Sequence, residues 1–175
     1  MHLLQFSTSH YCRKARLVLG YKGLVYSVEN LTPGLHILKL RPLTGLTTLP
    51  VLAPQRPGEP EAIADSTAIW RYLEQVQPEP PLTLPEPERQ QQAELIEDWL
   101  DESIGPATRF VYYDYRAKEG KHLDPSLLSQ AVIAIVRRQY NITPAAVAQA
   151  RTRLQLAFQV LAPWQDQPFL LGGDR

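Results

Sequence analysis

Thr48-Leu49-Pro50-Val51-Leu52-Ala53 is the stretch that decides how the first half of this chain folds. Val51-Leu52-Ala53 reads as a short strand, and a proline at its threshold forces Leu49 into an extended conformation. A cis Leu49-Pro50 bond would turn the Leu49 main chain outward as a free hydrogen-bonding edge, while trans is the commoner state of such a bond.

Upstream of it, His2-Leu3-Leu4-Gln5-Phe6 reads as a strand and Ser7-Thr8-Ser9 as a turn and N-cap cluster. Tyr11 to Tyr21 places Ala15, Leu17, Val18 and Leu19 at helical spacing, with Gly23 as the stop. A strand is expected at Val25-Tyr26-Ser27-Val28, followed by a loop or short helical piece from Pro33 to Leu40. Downstream, Pro54 to Pro60 reads as a turn and Glu61-Ala62-Ile63 as a hairpin strand. Asp65 to Gln75 then forms a helix with Ala68, Ile69, Tyr72 and Leu73 on one face. The order is β-α-β, an irregular segment, then β and α: a sheet with helices packed against it.

Pro78, Pro80, Pro81, Pro85 and Pro87 follow, too dense for a helix or a central strand. Residues 76–88 therefore read as a semi-rigid linker between a unit at 1–75 and a second at 89–175. The second unit loses the strands. Glu88 to about Gly105 is an amphipathic helix, continued by Pro106 to Ala117; Ser126 to Tyr140 is a third; Thr143-Pro144 caps and starts a fourth that runs to about Leu161. The fold class is α/β followed by all-α.

Bulk properties bound the function. A chain of 175 residues with 44% hydrophobic content buries a core in one domain or two small ones and is not disordered. Eighteen basic and 18 acidic residues cancel, so no global field recruits nucleic acid or an anionic membrane. Residues 1–73 carry eight Lys/Arg against four Asp/Glu, a net +4 that suits a small anionic ligand or is merely scattered solvated charge. One cysteine excludes an intrachain disulfide and a multi-cysteine metal site, and His2, His10, His36 and His122 are too dispersed for a ligand spacing. No metal is expected. With no long apolar run and no charged-then-apolar leader, the expected setting is the reducing cytoplasm.

Three segments carry candidate chemistry. Ser9 stands where its hydroxyl caps the helix, or donates to a bound thiolate and favours the ionised nucleophile. Cys12, three residues on, is a small packed residue or a monothiol nucleophile activated by the helix terminus. Tyr11 packs or points its hydroxyl at the same spot, and His10 is an exposed acid/base candidate. Asp65-Ser66 is first a good helix N-terminus, and that role is compatible with holding an ammonium on Asp65 and a carboxylate on Ser66. In the second unit, Arg109 and Phe110 with Tyr112, Tyr113 and Tyr115 line an apolar pocket for an electrophile or divide between core and surface.

The ordered set resembles the cytosolic glutathione S-transferase family. The matching segments are Ser9-His10-Tyr11-Cys12-Arg13-Lys14-Ala15-Arg16-Leu17, Thr48-Leu49-Pro50-Val51-Leu52, Asp65-Ser66-Thr67-Ala68-Ile69, and Pro163-Trp164 with Phe169-Leu170-Leu171-Gly172. The resemblance implies a thioredoxin-like N-terminal domain binding glutathione and a helical C-terminal domain supplying the second substrate's pocket, within a homodimer. Ser9 would be the activating hydroxyl, with Tyr11 and Cys12 as alternatives. Leu49 would pair with the cysteinyl part of glutathione beside a cis-Pro50, and Asp65 and Ser66 would hold the γ-glutamyl end. A free thiol of pKa ~8.5 is mostly protonated at neutral pH; lowering it by about two units requires roughly 2.7 kcal/mol of differential stabilisation, within reach of one hydroxyl and a helix terminus.

Three departures from the family pattern stand out. His10 replaces a common proline, the approach Arg41-Pro42-Leu43-Thr44-Gly45-Leu46-Thr47-Thr48 is long, and the chain stops at Gly172-Gly173-Asp174-Arg175 where relatives continue into a capped, buried helix. Lys39 and Arg41 are the candidate partners for the glycyl carboxylate. Glutathione conjugation to a small hydrophobic electrophile is the function implied. The alternatives are a glutathione-dependent thiol oxidoreductase using Cys12 and a non-catalytic binding or scaffold protein.

Overall fold

Leu3 and Leu4 sit at the centre of a four-stranded sheet and point to opposite faces of it. Strand β1 (His2–Gln5) pairs in parallel with β2 (Ser27–Asn30) and antiparallel with β3 (Val51–Ala53), which pairs antiparallel with β4 (Ile63–Ala64). The strand order is β2-β1-β3-β4. Helices α1 (His10–Tyr21) and α3 (Ser66–Val76) pack through Ala15, Leu19, Ile69 and Leu73 on the face that Leu3 and Leu52 supply. On the other face Leu4 and Val51 meet Leu40 of α2 (His36–Thr44). Each fully buried leucine contributes about 1.5–3 kcal/mol through removal from water, so both faces of the sheet are stabilised by burial. This is the thioredoxin-like arrangement, and the computed structural model describes it within residues 1–171. Gly172 to Arg175 lie outside the described residues.

Strand β2 begins at Ser27 instead of Val25, which is 92% exposed. Pairing Ser27 with His2 and Asn30 with Gln5 sets this register. Its polar composition is tolerated because it is an edge strand whose side chains find partners: Glu29 binds Lys39, and Asn30 accepts from buried Gln5 at 2.9 Å. Strand β4 is likewise shifted downstream, to Ile63–Ala64. The segment expected as a loop or short helical piece is a helix through Thr44, with Pro42 inside it. Gly45 ends it at φ 73°, a left-handed cap that costs glycine little.

The chain divides into two units, Met1–Leu84 and Pro85–Arg175. The proline-rich segment up to Thr83 is tied to the first unit. The ammonium of Lys22, its side chain wholly buried, pairs with Glu74 and donates to the carbonyls of Pro78 (3.0 Å) and Pro80 (2.8 Å). Glu74 in turn accepts from the N–H groups of Leu82 (3.0 Å) and Thr83 (3.2 Å).

The second unit is helical. Helix α4 (Pro87–Trp99) passes through one wide π turn (Leu100–Ile104) into α5 (Gly105–Ala117). Pro106 explains the turn, since it lacks the N–H that a regular helix would use at that point. Helices α6 (Leu127–Gln139) and α7 (Pro144–Leu161) pack on α5 through Ile133, Val147, Ala150 and Ala157. Ser126 caps α6 by accepting from Ser129 N–H at 3.2 Å, and Thr143 caps α7 by accepting from Ala146 N–H at 3.2 Å. Thr143→Ala should cost about 1 kcal/mol, measured as a lowered thermal midpoint, because the donor at the helix start loses its partner. Among the described residues no helix is long and apolar enough to cross a membrane.

Candidate functional site

The Ser9 turn, the Leu49-Pro50 approach and the Asp65-Ser66 helix start meet at one end of the sheet. Strand β1 runs into the turn that starts α1; β3, antiparallel to it, begins beside that turn at Pro50; β4 runs out into α3. The Asp65 N–H donates to the Pro50 carbonyl at 3.3 Å, joining two of the segments directly. Lys14 of α1 donates to Thr67 Oγ1 of α3 at 3.1 Å, joining the third.

Ser9 is the N-cap of α1, extended at φ −73° and ψ 129°, and its Oγ accepts from the Cys12 N–H at 3.4 Å. That bond uses a lone pair and leaves the hydroxyl proton to donate. Cys12 is fully buried. Burial pushes its thiol up, and hydrogen bonding with Ser9 and Phe6, together with the charge of Arg16, offsets that only in part. Tyr11 is half-buried with its ring 4.0 Å from that of His10, which is exposed.

The Leu49-Pro50 bond is cis. Leu49 precedes β3, so its main chain takes no part in the ladder that begins at Val51. At the start of α3, Asp65 accepts from the N–H groups of Thr67 (2.8 Å) and Ala68 (3.1 Å) from a backbone at φ 80°. Non-glycine residues rarely occupy that region, and its cost is held by the surrounding contacts. Next to it Ser66 is 1% exposed, and among the described residues its Oγ has no hydrogen-bond partner. A buried hydroxyl left unpaired costs about 1–3 kcal/mol, and it stands at a helix N-terminus, where free N–H groups and the dipole favour an anion.

Residues that the sequence did not single out support this end of the sheet. Buried Gln5 accepts from Arg16, and Arg16 also donates to the Ser7 carbonyl at 3.3 Å, two residues before Ser9. The charged run Arg13-Lys14-Ala15-Arg16 was the available signal, but its directions depend on how α1 lies on the sheet. Lys39 is committed to Glu29 at 2.6 Å, and that ion pair, with His2, holds the Glu29 carboxyl below its usual range. Arg41 is exposed.

In the second unit, Tyr112 and Tyr113 meet edge to face with centroids 5.3 Å apart. Arg109 lies over the Tyr140 ring at 4.5 Å, and Arg116 donates to Tyr112 Oη at 3.1 Å. Tyr115 packs against Gly120, where a Cβ would sit 2.4 Å from its ring. Buried Asp114 accepts from Arg137 (2.9 Å) and Lys118 (3.0 Å). Burial opposes its charge, yet those two donors outweigh it and hold its carboxyl below the usual range. A groove in this unit is lined by Ala117, Gln130, Ile133, Ala134 and Arg137, apart from Arg109, Tyr112 and Tyr113. Among the described residues no group of His, Cys, Asp or Glu is arranged to hold a metal ion.

The first unit is thus a thioredoxin-like domain in which two helix starts and a cis-proline edge converge at one end of the sheet, and the second unit is helical. Residues 3–81 match the glutathione S-transferase N-terminal domain family. The match covers the first unit only, so what it identifies is a glutathione S-transferase N-terminal domain. No curated protein matches it in sequence. Among solved structures it is similar to FzlA from C. crescentus, with 20% identity over 99% of this chain and 70% of that one and a TM-score of 0.73. It is also similar to a glutathione S-transferase from Methylobacterium radiotolerans in complex with glutathione sulfonate, at 22% identity over 99% and 71% of the two chains and a TM-score of 0.71. A third likeness is to the beta-etherase LigF from Sphingobium, at 19% identity over 97% and 75% of the two chains and a TM-score of 0.72. At these identities the structural likenesses establish the fold.

Proposed function

We propose that the chain binds glutathione at this end of the sheet and transfers its thiolate to small hydrophobic electrophiles. The observation that carries the reading is Ser66: a buried hydroxyl with no partner among the described residues, at the start of α3, one residue from a capping carboxylate and beside the Pro50 edge. A γ-glutamyl group supplies what is missing there, its carboxylate to Ser66 and its ammonium to Asp65. The Leu49 main chain would then pair with the peptide, and Ser9 would donate to the sulfur. The thiolate sulfur bonds to the electrophilic carbon as the leaving group departs with its electron pair. One neighbour in fold, the transferase from Methylobacterium radiotolerans, holds glutathione sulfonate, which supports the ligand class. The buried, upward-shifted Cys12 counts against a monothiol oxidoreductase.

Calorimetry with glutathione tests binding, and chloride release from 1-chloro-2,4-dinitrobenzene tests transfer. Ser66→Ala should weaken glutathione about tenfold to a hundredfold, the worth of a charge-assisted hydrogen bond. The same change should leave thermal stability equal or raised, because it removes an unpaired buried hydroxyl. Wild-type protein that shows no heat of binding would sink the proposal; binding without chloride release would reduce it to glutathione carriage.

A further inference from the structure

We propose that Arg109, presented by α5 together with Tyr112, Tyr113 and Arg116, is a recognition site for the carboxylate of a small aromatic acid. This deepens the reading of a second-substrate site, but it stands on geometry within the helical unit alone. Residues 109, 112, 113 and 116 are spaced three and four apart, so they share one face of the helix.

The arginines of this unit differ in how their donors are used. Arg137 is neutralised by Asp114, which also takes Lys118. Arg116 donates to Tyr112 Oη and, at 3.1 Å, to Ser129 Oγ. Arg109 has neither kind of hydrogen-bond partner among the described residues: its guanidinium carbon lies over the Tyr140 ring, 4.5 Å from the centroid. A cation held over a ring face is positioned through the π cloud, which leaves its N–H fork unspent. That fork matches a carboxylate with two parallel hydrogen bonds. The group is thus fixed in place, charged, and without an acceptor.

What surrounds it is aromatic. Tyr112 is 45% exposed and Tyr140 38%, and the edge-to-face pair of Tyr112 and Tyr113 adds a second wall. Burial raises the Tyr113 phenol above its ordinary value, so at neutral pH it remains an O–H donor beside Arg109 and Arg116. Ring faces for an aromatic body and an unspent guanidinium for its acid group together select an aryl carboxylate over an uncharged aryl compound of the same size.

The test is titration of the full chain, without glutathione, with 4-nitrobenzoate and its uncharged counterpart 4-nitrobenzamide, read by calorimetry and by quenching of tyrosine and tryptophan fluorescence. The acid should bind about tenfold more tightly than the amide, with the advantage shrinking as salt rises. Arg109→Gln should bring the ratio to about one, and Arg109→Lys, which keeps the charge but loses the fork and the stacking, should leave it at roughly threefold. Equal affinities in the wild-type chain, or a ratio that persists in Arg109→Gln, would overturn the proposal. If Arg109→Gln does not fold, the wild-type comparison and the lysine variant decide it. Failure of glutathione to bind would leave this ratio in place, so the two readings fail separately.

Discussion

Glu74→Ala is expected to destabilise the first unit by about 3–5 kcal/mol, the largest loss of any single change considered for this chain. Lys22 has a wholly buried side chain whose ammonium meets the Glu74 carboxylate and the carbonyls of Pro78 and Pro80. Removing the carboxylate leaves a buried cation with only carbonyl dipoles around it, and strips the acceptor from the N–H groups of Leu82 and Thr83. Lys22→Met should cost much less, because it removes the buried charge itself and Glu74 keeps its N–H and Thr83 hydroxyl donors. Urea denaturation of both variants checks the asymmetry; equal costs would show that the charge pair is not what holds this segment.

The same group predicts an acid dependence. Burial opposes the charge on Glu74, but Lys22, Leu82 and Thr83 outweigh it and hold the folded-state pKa below the ordinary value. Its contribution is therefore fully present above the unfolded-state pKa of about 4.3 and is lost as pH falls through the lower folded value. Thermal midpoints should drop steeply below about pH 4, and the slope should flatten in Glu74→Gln.

Ser9→Ala should lower kcat/KM for glutathione transfer about tenfold to a hundredfold at neutral pH while leaving glutathione affinity nearly unchanged. The hydroxyl proton, not engaged by the cap bond to Cys12, is the donor available to a bound sulfur. Without it the bound thiol's pKa rises by about one to two units, and each unit reduces the thiolate fraction about tenfold. The rate should recover at high pH, and Ser9→Thr should restore much of the loss. A pH–rate profile that does not move would remove Ser9 from this role, since a merely capping residue would cost about 1 kcal/mol of stability and no more.

Much of the fold was legible in the sequence because local rules coincide with it. The caps at Ser9, Asp65, Ser126 and Thr143 are small polar residues placed just before apolar runs, and all four accept from the first turn as such residues do. Where local signals competed with pairing, they failed. Val25 has the better strand chemistry, yet β2 starts at Ser27 because β1 sets the register. A loop or short helical piece ending at Leu40 is the local reading, yet α2 continues past Pro42 to Thr44, with Leu40 buried beside Leu4 and Val51.

The candidate site divides in the same way. That Ser9, Pro50 and Asp65-Ser66 are chemically suited to an anionic peptide follows from their identities and from their places at helix and strand starts, which are local properties. That Ser66 is buried without a partner, that Cys12 is sealed away, that Lys39 is committed to Glu29 and that Arg109 rests on Tyr140 are decided only by residues far apart in the chain. Burial and hydrogen-bond pairing are properties of the assembled neighbourhood, so the sequence by itself determined which groups are present at each chain turn, and the tertiary structure decided which of them still have a bond to make.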